Sequence, residues 1–171
     1  MKFPKLKLKT PVIRSLIRLY LVFGTMIILF VIVFNTNFFY WNCNVPFTAF
    51  IAYGSGFLIR LFGGDALVES TYLLTSGFRI NIVDGCNGLY AAAILVSGVA
   101  AYPSKAKQKI IGVLLGFTAI FGMNLIRVIS LFYLGQYFPE IFEEAHIYIW
   151  QPLIILWAIF VWFIWWIKIE K

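Results

Sequence analysis

The apolar and polar positions of this chain fall into long blocks rather than a fine alternation. An apolar run from Leu19 to Phe34 gives way to a polar and aromatic segment, Asn35 to Pro46, and then to a mixed stretch from Phe47 to Phe62. The next part, Asp65 to Val83, carries Glu69, Ser70, Thr71, Thr75, Ser76, Arg79 and Asn81. Apolar runs return from about Asn87 to Tyr102, from Lys109 to about Leu134, and from about Ile147 to Ile167. A run of about 20 apolar residues spans the hydrocarbon of a bilayer as a helix. The pattern therefore predicts an all-α integral membrane helical bundle with about four full transmembrane helices. Thr48, Tyr53, Ser55 and Arg60 make the run from Phe47 to Phe62 amphipathic, so it reads as one interfacial or re-entrant helix. Two crossings between Phe47 and Val83 would put an expensive polar load into hydrocarbon. Instead, Phe78, Ile80 and Ile82 alternate with Arg79, Asn81 and Val83, and Thr75-Ser76-Gly77 makes a turn. A small extracytoplasmic β-hairpin follows, with strands near Ala66–Leu73 and Phe78–Val83.

Composition sets the class on its own: 62% of the 171 residues are hydrophobic and only 12% charged. The whole of 1–171 reads as a single membrane domain, with an anchor helix at 19–34, an interfacial helix and hairpin at 47–83, and the chemistry-bearing helices at 87–167. The net charge of +7 does not indicate nucleic acid, because the basic residues sit at the ends of apolar runs rather than in a stripe interleaved with aromatics. The partner is the lipid bilayer, and the charge reports topology. Lys2, Lys5, Lys7, Lys9, Arg14 and Arg18 precede the first run, Lys105, Lys107 and Lys109 break the middle, and Lys168 and Lys171 follow the last. These segments are assigned to the cytoplasm, with both termini. The loops at 35–46 and 135–145 hold no Lys or Arg and are assigned to the outer face. No pair of small residues closes the first run as at a signal-peptide cleavage site, so it reads as an uncleaved helix.

Candidate chemistry gathers on that outer face. Asp84-Gly85-Cys86-Asn87-Gly88-Leu89 places a thiol just before a helix, where unpaired first-turn N–H groups lower a thiol pKa. Arg127 lies 18 residues beyond Lys109, roughly 27 Å along a helix at about 1.5 Å per residue, near the outer boundary. It shares a helix face with Gly112, Gly116, Ala119, Met123 and Ser130, and the small residues among them mark the face packed on other helices. Asn124, one turn below, is positioned to hydrogen-bond a substrate amide or the arginine. His146, the only histidine, stands where the outer loop enters the last helix. Cys86, Arg127 and His146 are the candidate catalytic residues; Asn87, Asn124 and Asp84 are the candidates for binding substrate, with Asp84 expected to cap the helix start or orient Arg127 or His146.

Each residue taken alone also has a plain structural explanation. Cys86 fits a small buried residue at a helix entry, Arg127 an interfacial anchor, and His146 an interfacial histidine. Glu143 and His146 at helical spacing invite a metal, but one His with glutamates and no second nitrogen or thiolate ligand makes a weak site, so no metal or other cofactor is assigned. A disulfide between Cys43 and Cys86 is a further alternative.

The run Asn81-Ile82-Val83-Asp84-Gly85-Cys86-Asn87-Gly88-Leu89, then Asn124-Leu125-Ile126-Arg127, then His146 before a tryptophan-rich last helix, resembles the exosortase and archaeosortase family of membrane transpeptidases. The short chain and the Gly-Cys-Asn-Gly form are most similar to its small bacterial branch, exosortase H. The resemblance covers about Phe47 to Trp166. It implies a Cys, Arg and His triad at Cys86, Arg127 and His146 in the bacterial cytoplasmic membrane. It also implies substrates that are secreted proteins ending in a short signature, a membrane helix and a basic tail, cut near that helix and passed to an acceptor. Many larger relatives have a serine after the cysteine, where this chain has Asn87. A non-catalytic membrane scaffold and a small transporter are the alternatives from other classes.

Overall fold

The computed structural model describes residues 10–170. Lys2, Lys5, Lys7, Lys9 and Lys171, assigned above to the cytoplasm, lie outside those residues. Helix α1 (Thr10–Phe34) is followed by a single turn, α2 (Asn37–Phe39), whose start is capped by Thr36: its Oγ1 accepts from Phe39 N at 3.2 Å. A π-helical turn, Tyr40–Asn44, leads directly into α3 (Val45–Leu61). A three-stranded antiparallel sheet of order β1-β2-β3 comes next: β1 (Leu67–Glu69), β2 (Tyr72–Thr75) and β3 (Phe78–Asn81). Helices α4 (Leu89–Ala101) and α5 (Ala106–Tyr137) follow. Then a 3-10 turn (Pro139–Ile141), α6 (Phe142–Glu144), a second π-helical turn (Ala145–Trp150) and α7 (Gln151–Glu170) run on without a break.

Three stretches among the described residues are long and apolar enough to cross a membrane: Ile13–Phe34, Ala106–Tyr137 and Pro139–Glu170. The fourth expected crossing, α4, is helical but has only 13 residues, about 20 Å at about 1.5 Å per residue. The extended conformation of Tyr102 before Pro103 ends it. No described side chain of α1 from Ile13 onward is buried, although the helix lies along α4. Lipid is an adequate solvent for such an apolar helix.

Two apolar cores divide the remainder. One joins α3, the sheet and α5 through Ile51, Ala52, Ile59, Leu73, Ile82, Val128 and Phe132. The other joins α4, α5 and α7 through Leu95, Val99, Ile120, Ile154, Ala158 and Trp165. Helix α5 belongs to both, and its small residues make that possible. A side chain at Gly112 would collide with the Trp165 indole, and one at Gly116 with Leu95.

Three expectations are corrected. The hairpin is a three-stranded sheet, because the chain also turns at Ser70-Thr71: Ser70 adopts φ 55°, and Thr71 Oγ1 donates to Asn81 Oδ1 at 2.8 Å. The predicted inward alternation of Phe78, Ile80 and Ile82 holds. On α3, Thr48 and Ser55 are buried against the protein instead of facing an interface. The loop predicted at 135–145 is almost wholly helical, since α5 continues to Tyr137 and the next turn begins at Pro139. Pro152 consequently lies inside a helical run, and the wide π turn before it absorbs the hydrogen bond that proline cannot donate.

Replacing Gly116 with Val should force Leu95 out of its rotamer and destabilise the protein by roughly 1–3 kcal/mol. The denaturation midpoint in detergent would fall accordingly. Gly122→Ala is the control: beyond its own stretch of helix no atom lies within 4 Å of the added carbon, and removing a helical glycine should leave the midpoint unchanged or raised by up to about 1 kcal/mol equivalent.

Candidate active site

The segment from Val83 to Gly88 carries the chain from β3 to α4. Gly85 and Gly88 take left-handed conformations at φ 82° and 84°, which glycine adopts without strain. At Gly88 a side chain would also press on Asn124, whose Cγ lies 3.4 Å from the position its Cβ would occupy. Between the two glycines, Asn87 turns inward and is fully buried. Its Nδ2 donates to Asn44 Oδ1 at 2.5 Å and to Thr48 Oγ1 at 2.9 Å, while its Oδ1 accepts from Leu89 N at 3.1 Å. Asn44 Nδ2 in turn donates to Asp84 Oδ1, and Thr48 Oγ1 donates to Asn44 O at 2.8 Å. The side chains on either side of Cys86 are thus tied to α3 and the π turn before it.

That clamp holds Cys86 against α5 and the second π turn. Its Sγ lies 2.9 Å from His146 Nε2 and accepts from Arg127 Nη2 at 3.5 Å. Arg127 is 0% exposed. Its Nε and Nη1 have no hydrogen-bond partner, and no carboxylate among the described residues pairs with it. His146 Nδ1 stands 4.0 Å from Glu143 Oε2, one helical turn earlier. Cys86, Arg127, Glu143 and His146 line a cleft of about 230 Å³ whose other walls include Ile80, Ile82, Leu131 and Phe142.

The three candidate catalytic residues are therefore brought together, while the candidate binding residues are distributed differently. Asp84 bonds to Asn44 rather than capping α4 or meeting Arg127 or His146. Asn87 spends its side chain on the clamp. Asn124 is buried with both amide atoms unpartnered. Asn44, Thr48 and Glu143 are the participants that sequence reasoning missed as site residues. Asn44 and Thr48 are spaced four apart on one helical face, but nothing in the pattern says that this face meets the Cys86 loop. Cys43 and Cys86 are both free thiols, the first exposed and the second half-buried.

The thiol's electrostatics also differ from expectation. The helix start was expected to lower its pKa, but α4 begins only at Leu89, and Asn87 already occupies that residue's N–H. Burial pushes the Cys86 thiol up, the Arg127 guanidinium pulls it back, and Glu143 and Asp84 add smaller upward pushes. A raised pKa favours the neutral thiol, so chemistry at this sulfur would call for a base to take its proton rather than a preformed ion pair.

A helical membrane protein that sets a cysteine, a histidine and a buried arginine around one cleft has the parts for thiol-based chemistry at a membrane. The chain belongs to the transmembrane exosortase family, whose sequence pattern matches residues 14–165. No curated protein and no solved structure matches it.

In a Cys43→Ser background, alkylation of Cys86 by iodoacetamide should rise with pH later than that of a free small thiol, as a raised pKa requires. Glu143→Gln removes an upward push and should move the profile to lower pH; Arg127→Gln removes the downward pull and should move it higher. Identical profiles in all three proteins would contradict this electrostatic account. Arg127→Met, which deletes a buried charge lacking a carboxylate partner, should raise stability, read as a higher denaturation midpoint.

Proposed function

We propose that the chain is a membrane-embedded cysteine peptidase or transpeptidase of the exosortase kind. On this reading it cleaves C-terminal sorting signals of secreted proteins at the extracytoplasmic face of a bacterial cytoplasmic membrane, with both termini in the cytoplasm. The observation that carries the reading is the approach of Cys86 Sγ to His146 Nε2, 2.9 Å, beside a fully buried Arg127 that has no carboxylate partner.

The chemistry follows from those atoms. As a peptide carbonyl enters the cleft, His146 Nε2 takes the thiol proton and Sγ attacks the carbonyl carbon. Negative charge then moves from sulfur to the carbonyl oxygen. The unpartnered Nε and Nη1 of Arg127 and a backbone N–H near Asn87 or Gly88 are the donors for that oxyanion, the contribution usually worth most. His146 returns its proton to the leaving amine, and the acyl group remains on Cys86 as a thioester. Water resolves the thioester by hydrolysis; an amine or hydroxyl acceptor resolves it by transfer. Glu143, with Oε2 4.0 Å from Nδ1, favours the charge the imidazole gains when it takes the proton, and Asn124 offers its free amide to substrate or to Arg127. Asp84 and Asn87 serve substrate by holding the loop that presents Cys86.

The substrates on this reading end in a short signature, a hydrophobic helix and a basic tail. The helix lies in the bilayer and the tail reaches the cytoplasm, so the scissile bond stands at the level of the cleft. The apolar walls formed by Ile80, Ile82 and Leu131 suit a segment leaving the membrane.

The test compares the C-termini of envelope proteins, by mass spectrometry, in cells with the parent chain and with Cys86→Ala at equal abundance. A set of proteins should keep a hydrophobic tail and basic end only in the variant, with processing in the parent higher by at least about a hundredfold. The new C-terminal mass in the parent distinguishes hydrolysis from transfer. Identical C-termini in both strains would sink the proposal.

A further inference from the structure

At the other end of α4 from Cys86, the chain encloses a second cavity, of about 410 Å³, between α1, the end of α4 and the early turns of α5. Its origin is a mismatch of lengths. The rings of Phe34 and Tyr90 meet at 5.4 Å, which fixes the start of α4 against the end of α1. From Tyr90, α4 continues for only about 17 Å before Pro103 stops it. The same distance back along α1 reaches about Val22, so the α1 turns from Val22 to Arg14 overhang empty space. Those turns, the chain from Ala100 to Pro103 and Lys109 of α5 form the walls.

The lining changes character along the cavity. Leu19 and Val22 stand further along the apolar span that begins at Ile13, whereas Arg14 and Arg18, one turn apart on α1, lie nearer its start, and Lys109 of α5 lines the same cavity. Lys109 Nζ donates one hydrogen to Ala100 O at 2.6 Å and keeps two. Tyr102, also in the lining, has its hydroxyl committed to Glu170. No carboxylate lines the cavity, and neither arginine has an ion-pair partner among the described residues.

We propose that this cavity is a binding site for an anionic phospholipid, with the headgroup phosphate among Arg14, Arg18 and Lys109 and an acyl chain against Leu19 and Val22. Three cations line one cavity with no carboxylate among them, a setting that attracts an anion. The apolar inner wall runs into the outward face of α1, which favours an amphiphile over a free anion. The site is independent of the chemistry at Cys86: it sits at the other end of α4 and shares no lining residue with the cleft.

The test is native mass spectrometry of the purified full chain, released from micelles containing either phosphatidylglycerol or phosphatidylcholine with the same acyl chains. One phosphatidylglycerol should stay bound where phosphatidylcholine is lost. Arg14→Gln, Arg18→Gln and Lys109→Gln should each weaken retention about fivefold, while Arg18→Lys keeps it and reports a folded protein. Lys107→Gln removes an exposed charge from the same α4–α5 region without touching the cavity and should change nothing. Equal retention of the two lipids would overturn the assignment, as would a Lys107→Gln loss equal to the others. Displacement of phosphatidylglycerol by millimolar inorganic phosphate would assign the cavity to a free anion instead.

Discussion

A guanidinium that is fully enclosed inside a membrane protein, with a sulfur as its hydrogen-bonding partner, constrains everything packed around it. Arg127 is the largest fully buried side chain, and the desolvation of its charge is met by no carboxylate among the described residues. Burying a charge without a partner is costly, so the fold must impose it. It does so through α5, whose Gly112 and Gly116 admit Trp165 and Leu95 so closely that one face of the helix must turn inward. Arg127 lies on that face. What the resting molecule forgoes in stability becomes available once sulfur, and then a carbonyl oxygen, carries negative charge beside it. On the proposed reading, the attraction strengthens as the reaction proceeds, which is the condition for an interaction to lower a barrier rather than only tighten binding.

Two side chains that brace the Cys86 loop beside Arg127, Asn44 and His146, are delivered by one backbone device used twice. Each π-helical turn ends two residues before a proline: Tyr40–Asn44 before Pro46, and Ala145–Trp150 before Pro152. A proline inside a helix lacks the N–H for an i to i−4 bond and crowds the carbonyl of that residue. Widening the preceding turn relieves both problems. In the first turn Val45 N donates to Tyr40 O, and in the second Gln151 N donates to His146 O, each five residues back. The widened turns also change which way the residues within them point. One presents Asn44 to Asn87 and Asp84; the other presents His146 to Cys86.

This explains what the amino-acid pattern could and could not reveal. The membrane class and the helices were legible because apolar runs of that length and loops of those charges have few other solutions. Gly112 and Gly116 were legible as a packed face because only small residues permit close helix contact. Cys86, Arg127 and His146 could be grouped because each fell at a helix end assigned to the same side. The turn at Ser70-Thr71 escaped notice because it uses a left-handed serine instead of a glycine. Asn44 and Thr48 escaped because their role depends on a tertiary pairing with Asn87 that no local period records. The direction of the Cys86 shift is hidden from the sequence for a related reason. Proximity to a helix start is visible in a sequence, whereas the burial that outweighs it is a property of the packed molecule.

The brevity of α4 connects these features. At about 20 Å it falls short of the roughly 30 Å hydrocarbon core, while α5, with 32 residues, extends about 48 Å beside it. A short helix held among longer ones withdraws its own ends from the level its neighbours reach. At one end this draws in the Gly85–Gly88 loop, so that Cys86 meets the flank of α5 at Arg127 instead of its terminus. At the other end it opens the cation-rimmed cavity under α1. A turn added at the Ala101 end would extend α4 into that cavity, and one added at the Leu89 end would lift the thiol past the guanidinium. The same missing length therefore accounts for the depth of the site and for the space opposite it.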